Sequence, residues 1–470
     1  MSKMVAGAPG AKQVIETREP AHPERVVGRF ELLDEAALAA SIEAAVRAQR
    51  AWALDAPGRA TGLLRWAAAI EAEAADLADL VTREVGKPIA EAHGEVARMV
   101  AILRYYSQVA FDPVAEQYPS PDRRSQLLAE RVPLGVVALI CPWNFPLAIP
   151  AWKMGPALAT GDAAILKPSA AGRATATRFV ELARSFLPEG VLQLAPVGAG
   201  LAGRLVEDAR IAGVSFTGSA EVGRRIIAAS AARGVPVQAV MGGQNASIVL
   251  ADADIDSAAT TIAGAAMGYA GQRCTATSRV VVERSIADRF IPLFVDRVAA
   301  LAVGDPSIET TVVGPLISSA ARDGVRASVD AALGRGGRLL TGNRSSELPG
   351  WFYAPTLVAL DDPGDPFAQE ETFGPAASVL VASDPDDAVR IANGTPYGLS
   401  AAVFGADLER ATAIVRRLEA GLLRVNASTT GVDYYAPFGG EKASSYGPRE
   451  QGRAAVEFYT RSRTILVSPA

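Results

Sequence analysis

The stretch Val136-Val-Ala-Leu-Ile-Cys-Pro-Trp-Asn-Phe-Pro146 sets five apolar residues directly before a Cys-Pro-Trp-Asn turn. A short, continuous apolar run closed by turn residues reads as a strand buried on both faces. Similar runs follow at Ala164 to Lys167, Val191 to Ala195, Gly213 to Thr217 and Val235 to Met241, separated by helix-like stretches such as Ala171 to Leu187. That alternation predicts an α/β fold with a doubly wound, mostly parallel sheet. Such sheets bind ligands beyond the carboxyl ends of their strands. The residues just after each run are therefore the candidates for chemistry: Cys141-Pro-Trp-Asn-Phe-Pro146, Lys167-Pro-Ser169 and Phe216-Thr-Gly-Ser-Ala-Glu-Val-Gly223. No Gly-x-Gly-x-x-Gly fingerprint opens the unit. Gly218-Ser219 before a helix supplies free N–H groups for a phosphate, or is a plain helix cap.

Upstream, residues 1 to 30 are polar and proline-bearing and are expected to form a surface arm. Asp34 caps a predicted helix with apolar residues at Leu38, Ile42, Ala45, Val46 and Trp52. A second helix is predicted through Leu63, Trp66, Ile70, Ala74, Leu77 and Val81, and a third over Ala90 to Val109 with His93 on its surface. Downstream, a second alternation runs from Ala246 through Val280 to Glu283, the helix Ile286 to Ala302, and strands near Ala354 to Ala359, Ala376 to Val381 and Leu422 to Asn426. Gly242-Gly243 marks the boundary between the two units. The run Ser462 to Val467 is suited to adding a strand to another subunit's sheet.

Composition narrows the function classes. A chain of 470 residues suggests two or three cores. A net charge of -5 offers nucleic acid and anionic membranes no attraction. The most apolar run, Gly135 to Trp152, is interrupted by Pro142, Pro146 and Pro150 and does not read as a membrane span. Two cysteines and two histidines exclude a disulfide framework and a Cys/His metal cluster, so no metal is expected. Met1 to Lys12 lacks the apolar core of a signal peptide, and a reducing, cytoplasmic setting is expected.

In the second unit, Gly268-Tyr-Ala-Gly-Gln-Arg-Cys-Thr-Ala-Thr-Ser-Arg279 surrounds Cys274 with small residues. A thiolate attacking a carbonyl needs a closely approaching backbone and room for substrate, which Gly271, Ala276 and Ser278 offer. Arg273 beside it is expected to favour the thiolate, since a free thiol is largely protonated at neutral pH. Alone, the same residue also reads as a small buried hydrophobe.

Together, Pro142-Trp-Asn-Phe-Pro146, Lys167-Pro-Ser169, Phe216-Thr-Gly-Ser219, Gly271-Gln-x-Cys274, Glu370-Glu-x-Phe-Gly-Pro375 and Pro437-Phe-Gly-Gly440 resemble the aldehyde dehydrogenase superfamily, in its order and spacing, from about residue 14 to 467. The resemblance implies a Rossmann-like NAD(P) domain (1–118 and 139–243), an α/β catalytic domain with the thiol (244–435), and a small β oligomerisation domain (119–138 and 436–470). It implies a homodimer or homotetramer. Cys274 is then the nucleophile, and Asn144 with the Cys274 N–H forms the oxyanion hole, such donors being worth roughly 3 to 4 kcal/mol. Lys167 matches the residue at the adenosine ribose, Gly218 and Ser219 those at the pyrophosphate, Glu371 and Phe373 those at the nicotinamide ribose. Ile140, Pro142, Trp143, Ser169, Ala170, Gly203, Thr217, Val222 and Met241 complete the implied NAD or NADP set. Phe145, Trp152 and Tyr269 are expected in the substrate tunnel.

Two departures from the family's pattern stand out. The glutamate that opens its Glu-Leu-Gly-Gly-Lys motif and serves as general base for thioester hydrolysis is Val240 here, in Val240-Met-Gly-Gly-Gln244. A positioned base contributes roughly a hundredfold to ten-thousandfold, about 3 to 5 kcal/mol. Glu450 in Gly447-Pro-Arg-Glu-Gln-Gly452 matches a second family glutamate that acts through water, in company with Lys153. The alternatives are transfer of the acyl group to coenzyme A, as in the methylmalonate-semialdehyde dehydrogenase branch, reductive flux, or a non-catalytic role. The second departure is Ala170, where NAD-preferring members often carry a glutamate that repels a 2′-phosphate; Arg173 nearby is either a phosphate partner or an exposed helix arginine. The run Gly431 to Gly440 followed by Ser444 to Gly452 resembles the subgroup of α-ketoglutaric semialdehyde dehydrogenase, which implies a small polar or carboxylated aldehyde. Arg273 meets that carboxylate or makes a structural ion pair.

Overall fold

The computed structural model describes residues 3–5, 13–343 and 348–469. The strand Val136–Ile140 is buried at every position and lies inside a six-stranded sheet. Its neighbours are Ala163–Lys167 and then Leu192–Leu194 on one side, and Ile211–Thr217 and then Val237–Val240 on the other. These five strands run parallel, and Ser445–Tyr446 adds an antiparallel edge. The chain winds outward from Val136–Ile140 in one direction and returns to wind in the other. The ends of Val136–Ile140 and Ile211–Thr217 therefore frame a topological switch point, where such sheets open a crevice.

Gly242 and Gly243 lead directly into a second sheet, ordered Arg338–Thr341, Thr356–Ala359, Ala376–Ala382, Thr277–Glu283, Asn245–Val249, Ser400–Phe404, Leu422–Val425. All but the first of these strands are parallel to their neighbours. A third sheet pairs Gln126–Pro133 with Ala115–Tyr118 and with Thr460–Val467, both antiparallel. The C-terminal run thus pairs within its own chain first. Among the described residues no helix is long and apolar enough to cross a membrane.

Three sequence expectations change. Residues 14 to 31 are not a loose arm: Val14–Arg18 and Val26–Glu31 form an antiparallel hairpin, with Glu16 buried and bonded to Arg18 and Arg29. Residues 1–2 and 6–12 of that arm lie outside the described residues. The second predicted helix is two, Ala56–Ala72 and Ala74–Val85, breaking at Glu73; neither Gly nor Pro marks the break. The strand Ser400–Phe404 was not expected, because Ser-Ala-Ala-Val-Phe lacks a β-branched run. Elsewhere the match is close: Asp34 accepts the Ala37 N–H at 2.8 Å and caps Glu35–Trp52, and His93 is exposed on the helix Ile89–Val109.

Candidate active site

Cys274 sits between the strand end at Asn245 and the start of Thr277–Glu283, on a loop held in an unusual turn. Tyr269, Ala270 and Gly271 all adopt positive φ, at 53°, 53° and 65°. A Cβ at Gly271 would fall 2.1 Å from the Gly374 carbonyl oxygen, so only glycine fits there. Side chains that the sequence reading missed hold the loop. Asn245 donates through Nδ2 to the carbonyls of Cys274 and Ala276, each at 2.8 Å. The buried Gln272 side chain accepts the Ile317 N–H at 2.9 Å and donates to Pro315 O at 3.2 Å. Asn245 had one signal, its place directly after the Gly-Gly motif; Gln272 had only its place within the thiol motif.

Asn144 is buried and donates through Nδ2 to the Gln272 carbonyl at 3.0 Å. This fixes its amide two residues from the nucleophile and leaves a second amide hydrogen for a developing oxyanion. The thiol itself is not activated in this state. Burial, and after it the charges of Glu371 and Glu450, push Cys274 up to about 12. The expected help from Arg273 is absent: its guanidinium pairs with Glu91 and is not among the groups acting on the thiol. Of the two readings of Arg273, the structure shows the ion pair.

Val240, at the base position, is 2% exposed and packs in the same apolar cluster as Trp152, Phe438 and Cys274. A buried group of polar side chains adjoins that cluster. Lys153, on the buried helix Ala148–Thr160, pairs with Glu450 and donates to Ser215 Oγ at 2.8 Å. Ser215 Oγ also bonds Gln238 Oε1 at 2.9 Å. Lys153 binds Glu450 through Oε1 only; Oε2 is buried and has no hydrogen-bond partner. A buried carboxylate oxygen that no protein donor reaches is an acceptor still open.

The implied cofactor residues gather at the switch point. Ile140 ends one strand, and Pro142 and Trp143 follow it; Trp143 meets Phe373 edge to face at 5.8 Å. Thr217 ends the next strand with Oγ1 buried and unpartnered. Gly218 donates to Val240 O at 3.1 Å, and Ser219 caps Ala220–Ala231. Met241 is buried, with its sulfur where a Cβ at Gly223 would lie. Val222 and Gly203 are exposed on Ala220–Ala231 and Ala199–Glu207. Lys167 donates only to Pro168 O, at 3.0 Å, and burial, with Arg173 nearby, lowers its pKa. Ser169 caps the turn that carries Ala170. Glu371 accepts the Gly243 N–H at 3.1 Å, and burial pushes its carboxyl up to about 7. The orphaned Thr217 hydroxyl, the bare strand ends and Glu371 fit a dinucleotide laid across this edge.

Two further expectations are corrected. Arg173 is not an exposed helix arginine; it is 1% exposed. Tyr269 is fully buried and donates to Val85 O at 3.4 Å, so it backs Phe145, edge to face at 6.4 Å, rather than lining the tunnel. Phe145 and Trp152 belong to the apolar cluster at the thiol, Trp152 against Phe438 at 5.4 Å. Lys87, which nothing in its Gly-Lys-Pro setting distinguishes from a solvated lysine, is fully buried, pairs with Glu95 and places Nζ 3.8 Å from the centre of the Phe145 ring.

A sequence model of the aldehyde dehydrogenase family matches residues 7–465, and the chain belongs to that family. It is similar to an alpha-ketoglutaric semialdehyde dehydrogenase of Bacillus subtilis, 36% identical over 97% of this chain and 95% of the relative. A crystal structure of a putative aldehyde dehydrogenase from Burkholderia cenocepacia superposes with a TM-score of 0.93 at 37% identity, covering 97% of this chain and 94% of that one. PnpE, known from Pseudomonas sp. WBC-3, in complex with nicotinamide adenine dinucleotide, gives 0.94 at 34%, covering 99% and 96%. The protein is an NAD(P)-dependent aldehyde oxidoreductase.

Proposed function

We propose that the enzyme oxidises a small carboxylated aldehyde to the acid and releases the product to water, with Glu450 in the role that Val240 has vacated. The unpartnered Glu450 Oε2 is the observation that carries this reading. Cys274 loses its thiol proton to solvent and attacks the aldehyde carbon as the thiolate, and the oxygen that becomes anionic is received by Asn144 Nδ2 and the Cys274 N–H. The implied cofactor set, with Glu371 and Phe373 at its nicotinamide end, would hold NAD or NADP, whose oxidised ring accepts the hydride when bound. The thioester on Cys274 then meets a water whose proton passes to Glu450, and Lys153 holds that carboxylate in place. Val240 contributes only apolar packing. The substrate class is supported by relatives named alpha-ketoglutaric semialdehyde dehydrogenase and 2,5-dioxopentanoate dehydrogenase.

The same reading takes the enzyme as a cytoplasmic homodimer or homotetramer, supported by exposed Leu466 and Val467 on the edge strand Thr460–Val467. Rapid-mixing absorbance of NAD(P)H formation with a semialdehyde panel, with and without coenzyme A, tests the release step. Steady turnover that coenzyme A does not accelerate is expected. A burst equal to the enzyme concentration, followed by a slow phase that coenzyme A speeds, would replace water with the thiol acceptor.

A further inference from the structure

We infer that Gln238 and Ser215 are positioning residues for the hydrolytic step: together they hold Lys153 and the backbone before Glu450, so that Glu450 is bound through one carboxylate oxygen and keeps the other for water. This rests on the reading of Glu450 as the group that receives the proton of that water.

Gln238 and Ser215 are register partners on the parallel strands Val237–Val240 and Ile211–Thr217, at 1% and 0% exposure. Strands buried on both faces of a parallel sheet are normally apolar, so a glutamine and a serine there need a bonding reason. Side chains alternate between the faces of a strand. Ala239 and Met241 pack in one apolar cluster, and Val240 packs in the other, the cluster that Cys274 joins. Gln238 therefore shares the face of Val240, two residues back along the strand.

The hydrogen bonds among these groups run in one direction. Gln238 Nε2 donates to the Arg449 carbonyl at 2.9 Å. A carbonyl only accepts, so the orientation of the amide is fixed and its Oε1 faces Ser215. Ser215 Oγ commits its one hydrogen to that Oε1, at 2.9 Å, which leaves its lone pairs to receive Lys153 Nζ at 2.8 Å. Glu450 Oε1 is the more distant acceptor for the same hydroxyl, at 3.5 Å, and takes Lys153 instead. The ring closes through the chain, because Arg449 precedes Glu450. Gln238 thus sets both the direction of the Ser215 hydroxyl and the place of the Glu450 backbone. Without it the hydroxyl is free to turn onto Glu450, and a carboxylate that accepts one more donor is a poorer base. Besides Lys153, the titratable groups that feel Glu450 are Cys141, Cys274, Tyr106 and Tyr459, and none of these four hydrogen-bonds to it.

The test is rapid-mixing kinetics of the full chain with a semialdehyde and NAD or NADP, with hydroxylamine as a competing acceptor of the acyl group. Gln238→Met keeps the length of the side chain and loses both bonds. It should retain the NAD(P)H burst, lower the steady rate about tenfold, and raise the ratio of hydroxamate to acid by about the same factor. Gln238→Glu reproduces both bonds only while its acid is protonated, so its steady rate relative to wild type should rise as pH falls, whereas that of Gln238→Met should not. A role in folding alone does not produce that divergence. Ser215→Ala should shift the hydroxamate-to-acid ratio in the same direction, and it decides the matter if neither Gln238 variant folds. Variants that keep the wild-type ratio, or that lose burst and steady rate together, overturn the inference. Glu450→Gln separates the two levels: if it leaves the steady rate and the ratio unchanged, the reading of Glu450 itself fails, and if it lowers the rate while Gln238→Met does not, only the positioning role fails.

Discussion

Two buried lysine–glutamate pairs lie against the region of the nucleophile, and they differ in one oxygen atom. Glu95 uses both of its carboxylate oxygens: Oε1 accepts the N–H groups of Leu147 and Ala148 at 2.8 and 3.0 Å, and Oε2 takes Lys87. Glu450 commits Oε1 to Lys153 and keeps Oε2 free. Both glutamates are nearly inaccessible, at 4% and 1% exposure, so burial does not separate them. Satisfaction does. A fully bonded carboxylate fixes the start of the helix that bears Trp152 and Lys153, whereas one with an open acceptor can take a proton without breaking anything.

Removing each carboxylate should therefore damage different properties. Glu450→Gln is expected to leave acylation of Cys274 intact, seen as a burst of NAD(P)H, while steady-state turnover falls roughly a hundredfold to ten-thousandfold, about 3 to 5 kcal/mol. If the burst vanishes with turnover, Glu450 acts on the attack step and the contrast with Glu95 is drawn in the wrong place. Glu95→Gln breaks a buried pair and strands Lys87, which should cost about 3 to 5 kcal/mol of stability in denaturant unfolding. The fraction that folds should keep a near-normal ratio of burst to steady rate.

A third buried carboxylate, Glu84, has no lysine, and burial raises it from the usual 4.5 to about 7 despite its bonds to Thr175 and Ala174. Folding therefore takes up a proton between those values, and stability should fall as pH rises from about 4.5 to 7. The contribution is about 3 kcal/mol. Thermal midpoints of wild type and Glu84→Gln across that window should converge in slope only if Glu84 is not the titrating group. The smallest effect expected is a gain: Val240→Glu restores a carboxylate beside Cys274 and should recover about tenfold of the turnover lost in Glu450→Gln. No recovery would mean that the packed cluster around Val240 has closed the path of water to the thioester.

What the sequence made legible was local. Val136–Ile140 announces itself because five apolar residues between Gly135 and Cys141 have few other places to go, and the strand is observed with those bounds. Cys274, Asn144 and the Glu450–Lys153 pair were reachable through ordered motifs. Contacts between distant segments were not. Arg273 beside Cys274 looks like an activating charge until Glu91, on the helix Ile89–Val109, claims it. Tyr269 looks like a tunnel residue until the positive φ of its own turn carries it inward. Arg173 looks exposed because a helix start usually is, yet it is 1% exposed. The break at Glu73 and the strand Ser400–Phe404 lack any residue that dictates them, so tertiary packing decides both.

Glu450 also reaches its place late. It is tied to Phe438 by reciprocal N–H···O bonds of 2.6 and 2.7 Å, in a segment that pins Ser445–Tyr446 to the edge of the first sheet. Lys153 and Cys274 are synthesised long before it. A growing chain emerging from the ribosome would thus assemble its nucleophile while the carboxylate proposed to discharge it is still unmade, and Lys153 would wait uncompensated in the core. On the proposed role of Glu450, the joining of this late segment to the edge of the first sheet is the moment at which the thioester gains its way to water.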